Sequence, residues 1–154
     1  MSSIKVSTGI KSYDIEDEFG KVRGQISFNP TDMNFITRLA NLQDQLNSIL
    51  IEASKLDDVL TSPSDSNEAI IEAYTLLTEF DAKTKEAINK TFDDDNLSNV
   101  IFGNQSVFNL DNNGTSFLER FIMGVLPIIE RDINASAQKM QKNINKYTNN
   151  LVQE

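Results

Sequence analysis

This chain of 154 residues contains no cysteine and no histidine. Without cysteine there is no disulfide, no thiolate nucleophile and no ligand set for an iron–sulfur cluster, and a reducing compartment, the cytoplasm, is the expected home. Without histidine the commonest general base and the usual nitrogen ligand for zinc, copper and iron are missing, and serine hydrolases built on a histidine base are excluded. The six glycines stand singly, and no phosphate-cradling loop of the G-x-x-x-x-G-K type occurs. No apolar run approaches the roughly 18 residues that a membrane span needs. The first residues, MSSIKVSTGIKSYDIE, carry no apolar core of a secretion signal. Positive charge is scarce too: 14 basic side chains stand against 23 acidic ones, for a net charge of −9. That balance argues against non-specific nucleic-acid binding, which needs cations to replace the phosphate counterions.

The acidic excess is local. Residues 44–95 hold 13 acidic and 4 basic side chains, whereas residues 133–154 hold three lysines and one glutamate. An acidic middle and a basic tail attract each other, within a chain or between chains.

Hydropathy patterning predicts an α+β fold, mostly α: an N-terminal β-hairpin followed by a helical bundle with a long kinked C-terminal helix. Ser12 to Ile15 and Val22 to Phe28 alternate with period two, and Gly20 supplies the positive φ of the loop between them. Ile4 and Val6 suggest a further short strand. Asn29-Pro30-Thr31-Asp32 switches the chain to a helix over 33–60, with Thr31 or Asp32 as its cap. Phe35, Leu39, Leu42, Leu46, Ile49, Ala53, Leu56 and Leu60 recur in alternating steps of four and three, a heptad seam. Thr61-Ser62-Pro63-Ser64 breaks it, and Asp65 with Glu68 has capping-box spacing for a second, antiparallel helix over 66–92. Its expected inward face is Ile70, Tyr74, Leu77, Phe80 or Asp81, Ala87 and Ile88. The stretch 93–114 has too many apolar groups for a free linker and should fold over the core, with one short helix at 97–102.

Ser116 with Glu119 opens the last helix as a second capping box. Its first half, 117–129, is nearly all apolar and reads as buried, and Pro127 kinks or frays it. Its second half carries Ile133, Ala137, Met140, Ile144, Tyr147 and Leu151, in steps of four and three, among lysine, asparagine and glutamine. That narrow stripe is more than the domain needs for itself and suits a partner. The chain therefore divides into a hairpin (1–30), a helical body (31–132) and a helical tail (133–154), all one domain.

Two acidic features resemble cation sites and read better as turns. Asp93, Asp94 and Asp95 fit a solvated helix stop. Asn109-x-Asp111-x-Asn113-Gly114 begins like a calcium loop, but its twelfth position is Arg120 where a bidentate glutamate is required; an Asx turn accounts for the same residues. Nothing points to catalysis: no enzyme activity, metal, cofactor or small-molecule substrate is expected.

Several segments together resemble a known family: Tyr13-Asp14-Ile15 leading to a glycine turn; Ile26-Ser27-Phe28-Asn29-Pro30-Thr31-Asp32 with Phe35 and Arg38-Leu39; Val100-Ile101-Phe102-Gly103; Val107-Phe108; and Phe121 with Leu126-Pro127-Ile128-Ile129. The pattern, over about 13–147, is similar to the tail assembly chaperones of long-tailed, siphovirus-type phages and prophages of Gram-positive bacteria. The resemblance implies an oligomer-prone viral protein that coats the helical tape-measure protein and helps recruit tail-tube subunits in the host cytoplasm. The partners would be tape-measure and tail-tube proteins, with self-association possible. A structural tail or capsid subunit retained in the virion, and an acidic DNA-mimicking inhibitor of a host protein, are the alternatives. The partner-binding candidates are Met140, Ile144, Tyr147 and Leu151 on the tail and Leu39, Leu42, Leu46 and Ile49 on the first helix, where ordinary core packing gives the same spacing.

Overall fold

The computed structural model of the chain describes the backbone of residues 2–61 and 67–152 and the side chains of 2–60 and 67–146. Two strands, β1 (Lys11–Glu16) and β2 (Val22–Phe28), pair as an antiparallel hairpin, followed by helices α1 (Met33–Thr61), α2 (Asn67–Phe92), α3 (Leu97–Phe102), α4 (Phe117–Gly124) and α5 (Leu126–Val152). This is the mostly helical α+β architecture expected from the sequence. Of the expected break at 61–64, Thr61 is still helical, and 62–64 and the capping role of Asp65 lie outside the described residues.

In the hairpin loop, the Asp17 carboxylate accepts from the Phe19 and Lys21 amides, and Gly20 adopts φ 79°. Lys11 pairs with Phe28 and Ile15 with Gly24, after which Arg23 is an extra residue in β2 and the register shifts. Residues 2–10 form no strand, so the suggestion from Ile4 and Val6 is corrected. Both side chains are exposed, and the segment is tied down where the Asn29 side-chain Nδ2 donates to the Thr8 carbonyl.

The strand-to-helix switch works through side chains. Asn29 Oδ1 accepts from the Thr31 amide and hydroxyl, while Asp32, rather than Thr31, caps α1 by accepting from the Asn34 amide at 2.9 Å. A row of rings then stitches the hairpin to the helices: Tyr13 to Phe28, Phe28 to Phe35 and Phe35 to Phe92, with centroids 6.1, 5.6 and 5.4 Å apart.

The expected inward face of α2 holds except at Tyr74: Ile88 is buried, and Ile70, Leu77, Phe80, Asp81 and Ala87 are half-buried. Ala73, Thr84, Ile88, Thr91 and Phe92 are buried, whereas Tyr74 is 59% exposed. The two threonines read as polar in the sequence, yet each returns its hydroxyl to the carbonyl four residues back, Phe80 for Thr84 and Ala87 for Thr91. With the hydroxyl satisfied, what each presents to the core is a methyl group.

After α2, Asp93 takes a left-handed φ of 51° and ends the helix. Asn89 then accepts from the Ser98 amide and donates to the Asp95 carbonyl, which locks α3 beside α2. Val107 is fully buried and its amide donates to Asp81, so the irregular stretch does fold over the core. The Ser116–Glu119 capping box forms in both directions. The helical ladder breaks at Val125 between α4 and α5, and the C-terminal helix is bent by 22°. Pro127 sits in the first turn of α5, where a missing N–H costs least. The expectation of a fully buried 117–129 is corrected: Leu118, Phe121, Leu126 and Ile129 are buried, but Met123 and Ile128 face solvent.

Candidate interaction surface

The sequence proposes two apolar stripes, and the fold treats them differently. Leu39, Leu42, Leu46 and Ile49 are all buried in the core with Ile88, Leu126 and Ile129. In the folded chain they are not open to a partner, which corrects their place among the binding candidates. The heptad spacing there serves the core: α1 packs along α2, and its Phe35 stacks on the hairpin residue Phe28.

The tail is the opposite case. Among the described side chains of α5, Ile133 is the last packed against the core and Ser136 the last that is even partly buried. From 137 to 146 every side chain is exposed, including Met140 at 43% and Ile144 at 54%. Lys139, Lys142 and Lys146 are exposed among them. Tyr147 and Leu151 continue the stripe on the helical backbone, while their side chains lie outside the described residues. The backbone stays helical because the segment has no glycine or proline after Pro127, not because the body supports it.

The root of the tail is fixed by a polar cluster. The Asp132 carboxylate is buried and accepts from the Tyr13 hydroxyl of β1, with Lys11 Nζ at 3.6 Å and Arg131 at 3.5 Å. Arg131 also donates to the Tyr13 oxygen at 3.4 Å. Burial by itself would raise the Asp132 pKa, but the Tyr13 hydrogen bond and the two cations outweigh it and hold the carboxyl below its ordinary value. The hairpin is thereby bolted to the first turns of α5. Pairwise periodicity in the sequence gives no hint of this contact, because its partners are 119 residues apart.

Next to this root, α1 and α4–α5 leave a shallow cleft of about 360 Å³ lined by residues such as Leu46, Ile122 and Leu126, with Asp44 and Glu130 on its rim. A polar hollow of about 420 Å³ lies where Arg23 meets Asn96, Asn99 and Asn104. Neither gathers the paired titratable groups that catalysis uses.

The suspected calcium loop is an Asx turn. Asp111 Oδ1 accepts from the Asn113 and Thr115 amides at 2.8 and 3.0 Å, and Gly114 has φ 78°. The Thr115 amide bond is the main cause that lowers the Asp111 pKa; desolvation opposes it, and the Asn113 amide and Arg120 add to it. Among the described residues no three carboxylates converge to hold a metal ion, and no helix is long and apolar enough to cross a membrane.

Comparison with family models, with curated proteins and with solved structures gives no match.

Proposed function

We propose that the protein works by binding other protein chains, as a tail assembly chaperone that holds the tape-measure protein in the bacterial cytoplasm and helps bring tail-tube subunits to it. The observation that carries this reading is the end of α5: a helix with an apolar stripe through Met140 and Ile144 that no described part of the chain covers. An amphipathic helix with a bare stripe pairs with another helix through contacts at i, i+3, i+4 and i+7 spacing. The flanking lysines and amides keep it soluble before the partner arrives. A tape-measure protein, itself long, helical and apolar, is a fitting partner, and the segments through Phe28-Asn29-Pro30-Thr31-Asp32 add the family resemblance. The absence of histidine and cysteine fits a role in binding rather than catalysis.

The test is co-expression with the neighbouring tape-measure protein, using the full chain and a version ending after Ser136. Capture by the full chain and loss on truncation are expected. Equal capture by both forms would move the binding surface to the body. No capture by either folded form would refute the reading, and the protein's presence in purified particles would then favour a structural tail subunit.

A further inference from the structure

The segment 2–10 has the pattern of a strand and no strand partner in its own chain. When extended, it turns Ile4, Val6 and Thr8 to one side and Ser3, Lys5 and Ser7 to the other. Ile4 and Val6 are 93% and 80% exposed. The chain bends at Gly9, with φ 75°, and Asn29 Nδ2 donates to the Thr8 carbonyl at 2.8 Å. Asn29 directly follows β2, so the segment runs out beside the exit of β2 and does not fold back on β1.

The hairpin meanwhile offers an open edge. β2 carries the extra residue Arg23 and packs against α2 and α3, whereas β1 pairs without a break from Lys11 to Ile15 and has β2 as its only strand neighbour. Among the described residues no backbone group of β1 bonds to backbone outside the hairpin. An unbroken, unpaired edge is a template for an added strand, and a two-stranded sheet is marginal without one. On β1, Tyr13 and Ile15 turn toward the body, while Ser12, Asp14 and Glu16 turn toward solvent.

We infer that residues 4–8 of one copy add as an antiparallel strand to the β1 edge of a second copy. Five residues match five: with Lys5 opposite Asp14, Ile4 meets Ile15, Val6 meets Tyr13, Ser7 meets Ser12 and Thr8 meets Lys11. The two apolar pairs fall on the body side of the sheet. Lys5, the one charged side chain of the segment, falls on the solvent side beside Asp14 and Glu16, and such opposite charges support cross-strand pairing. A slip of one residue would put Ile4 and Val6 in water, so the register is specific. The occupant is a second copy because this chain supplies a segment that fits the edge in length, apolar side and charge, and its own Asn29 tie keeps that segment from the edge beside it. Main-chain hydrogen bonds hold an added strand of this kind. The α5 tail takes no part, so the inference stands or falls separately from capture of the tape-measure protein.

The experiment uses the full chain throughout, and circular dichroism checks that each variant keeps its fold. Sedimentation velocity compares the unaltered chain with Val6→Pro, which removes one main-chain donor at an exposed position. The unaltered chain self-associates, and Val6→Pro weakens association on the order of tenfold or more. The pairing itself is read by disulfide cross-linking, which a chain without cysteine makes unambiguous. Lys5→Cys mixed with Asp14→Cys gives the mixed disulfide, because opposite residues have Cβ atoms about 4.5–5.5 Å apart. Lys5→Cys mixed with Ser27→Cys, one strand further across the sheet, gives several-fold less. An unaltered chain that stays monomeric up to about 1 mM, a Val6→Pro variant that associates as the unaltered chain does, or equal yields of the two mixed disulfides would each overturn the inference.

Discussion

The bond between Tyr13 and Asp132 offers the sharpest test of how the hairpin is held. Removing the hydroxyl in Tyr13→Phe leaves the ring stacked on Phe28 but takes from a buried carboxylate one of its hydrogen-bond donors. A hydrogen bond to a charged group contributes about 1.5–3 kcal/mol. The cations cannot replace it, because the side chains of Lys11 and Arg131 are 45% and 65% exposed, and exposed ion pairs contribute only about 0–1 kcal/mol each. At about 2–4 °C per kcal/mol for a domain of this size, Tyr13→Phe should lower Tm by about 3–12 °C. Asp132→Asn should cost a similar amount, and the double variant should cost less than the sum by about 1–2 kcal/mol, the signature of a direct contact. The pH dependence has a definite sign. The folded pKa of Asp132 lies below its ordinary value, so its stabilisation is fully present above the unfolded pKa of about 3.9 and disappears as pH falls through the lower folded value. Acid denaturation followed by circular dichroism should therefore be less steep for Asp132→Asn. Strict additivity of the two substitutions, within about 0.3–0.5 kcal/mol, would refute a direct Tyr13–Asp132 interaction.

Three further outcomes follow from burial and close approach. Leu46→Ala, at a fully buried site on α1, should cost about 2–5 kcal/mol in urea denaturation, whereas Tyr74→Ala, exposed on α2, should stay within about 0.5 kcal/mol. Gly24→Ala places a methyl carbon 2.8 Å from both Val100 methyl groups, so the hairpin must lift from α3 at a cost of about 1–3 kcal/mol, seen as a lower Tm. Ending the chain after Ser136 removes only exposed described side chains and should leave Tm of the body within about 2–4 °C of the full chain, equivalent to about 1 kcal/mol.

Much of this molecule is legible in its sequence because local physics decides it. Alternation with period two, Gly20 and the polar Asp17 loop define the hairpin without help from the rest of the chain. The Ser116–Glu119 box and the helix at Leu97–Phe102 follow from capping and apolar spacing over a few residues. The exclusion of histidine and cysteine chemistry needs no structure at all. The tertiary structure decided which of two similar stripes is free. Leu39 to Ile49 and the stripe from Ile133 onward have the same rhythm, and only the packing of the other elements against α1 makes the first a core and leaves Met140 and Ile144 bare. It also added Thr84 and Thr91 to the buried face of α2 and left Tyr74 outside it, since a hydroxyl bonded to its own helix is no obstacle to burial. The Tyr13–Asp132 bolt belongs wholly to the fold: its two ends are 119 residues apart and meet only in the folded chain, and periodicity along a chain carries no information about such a meeting.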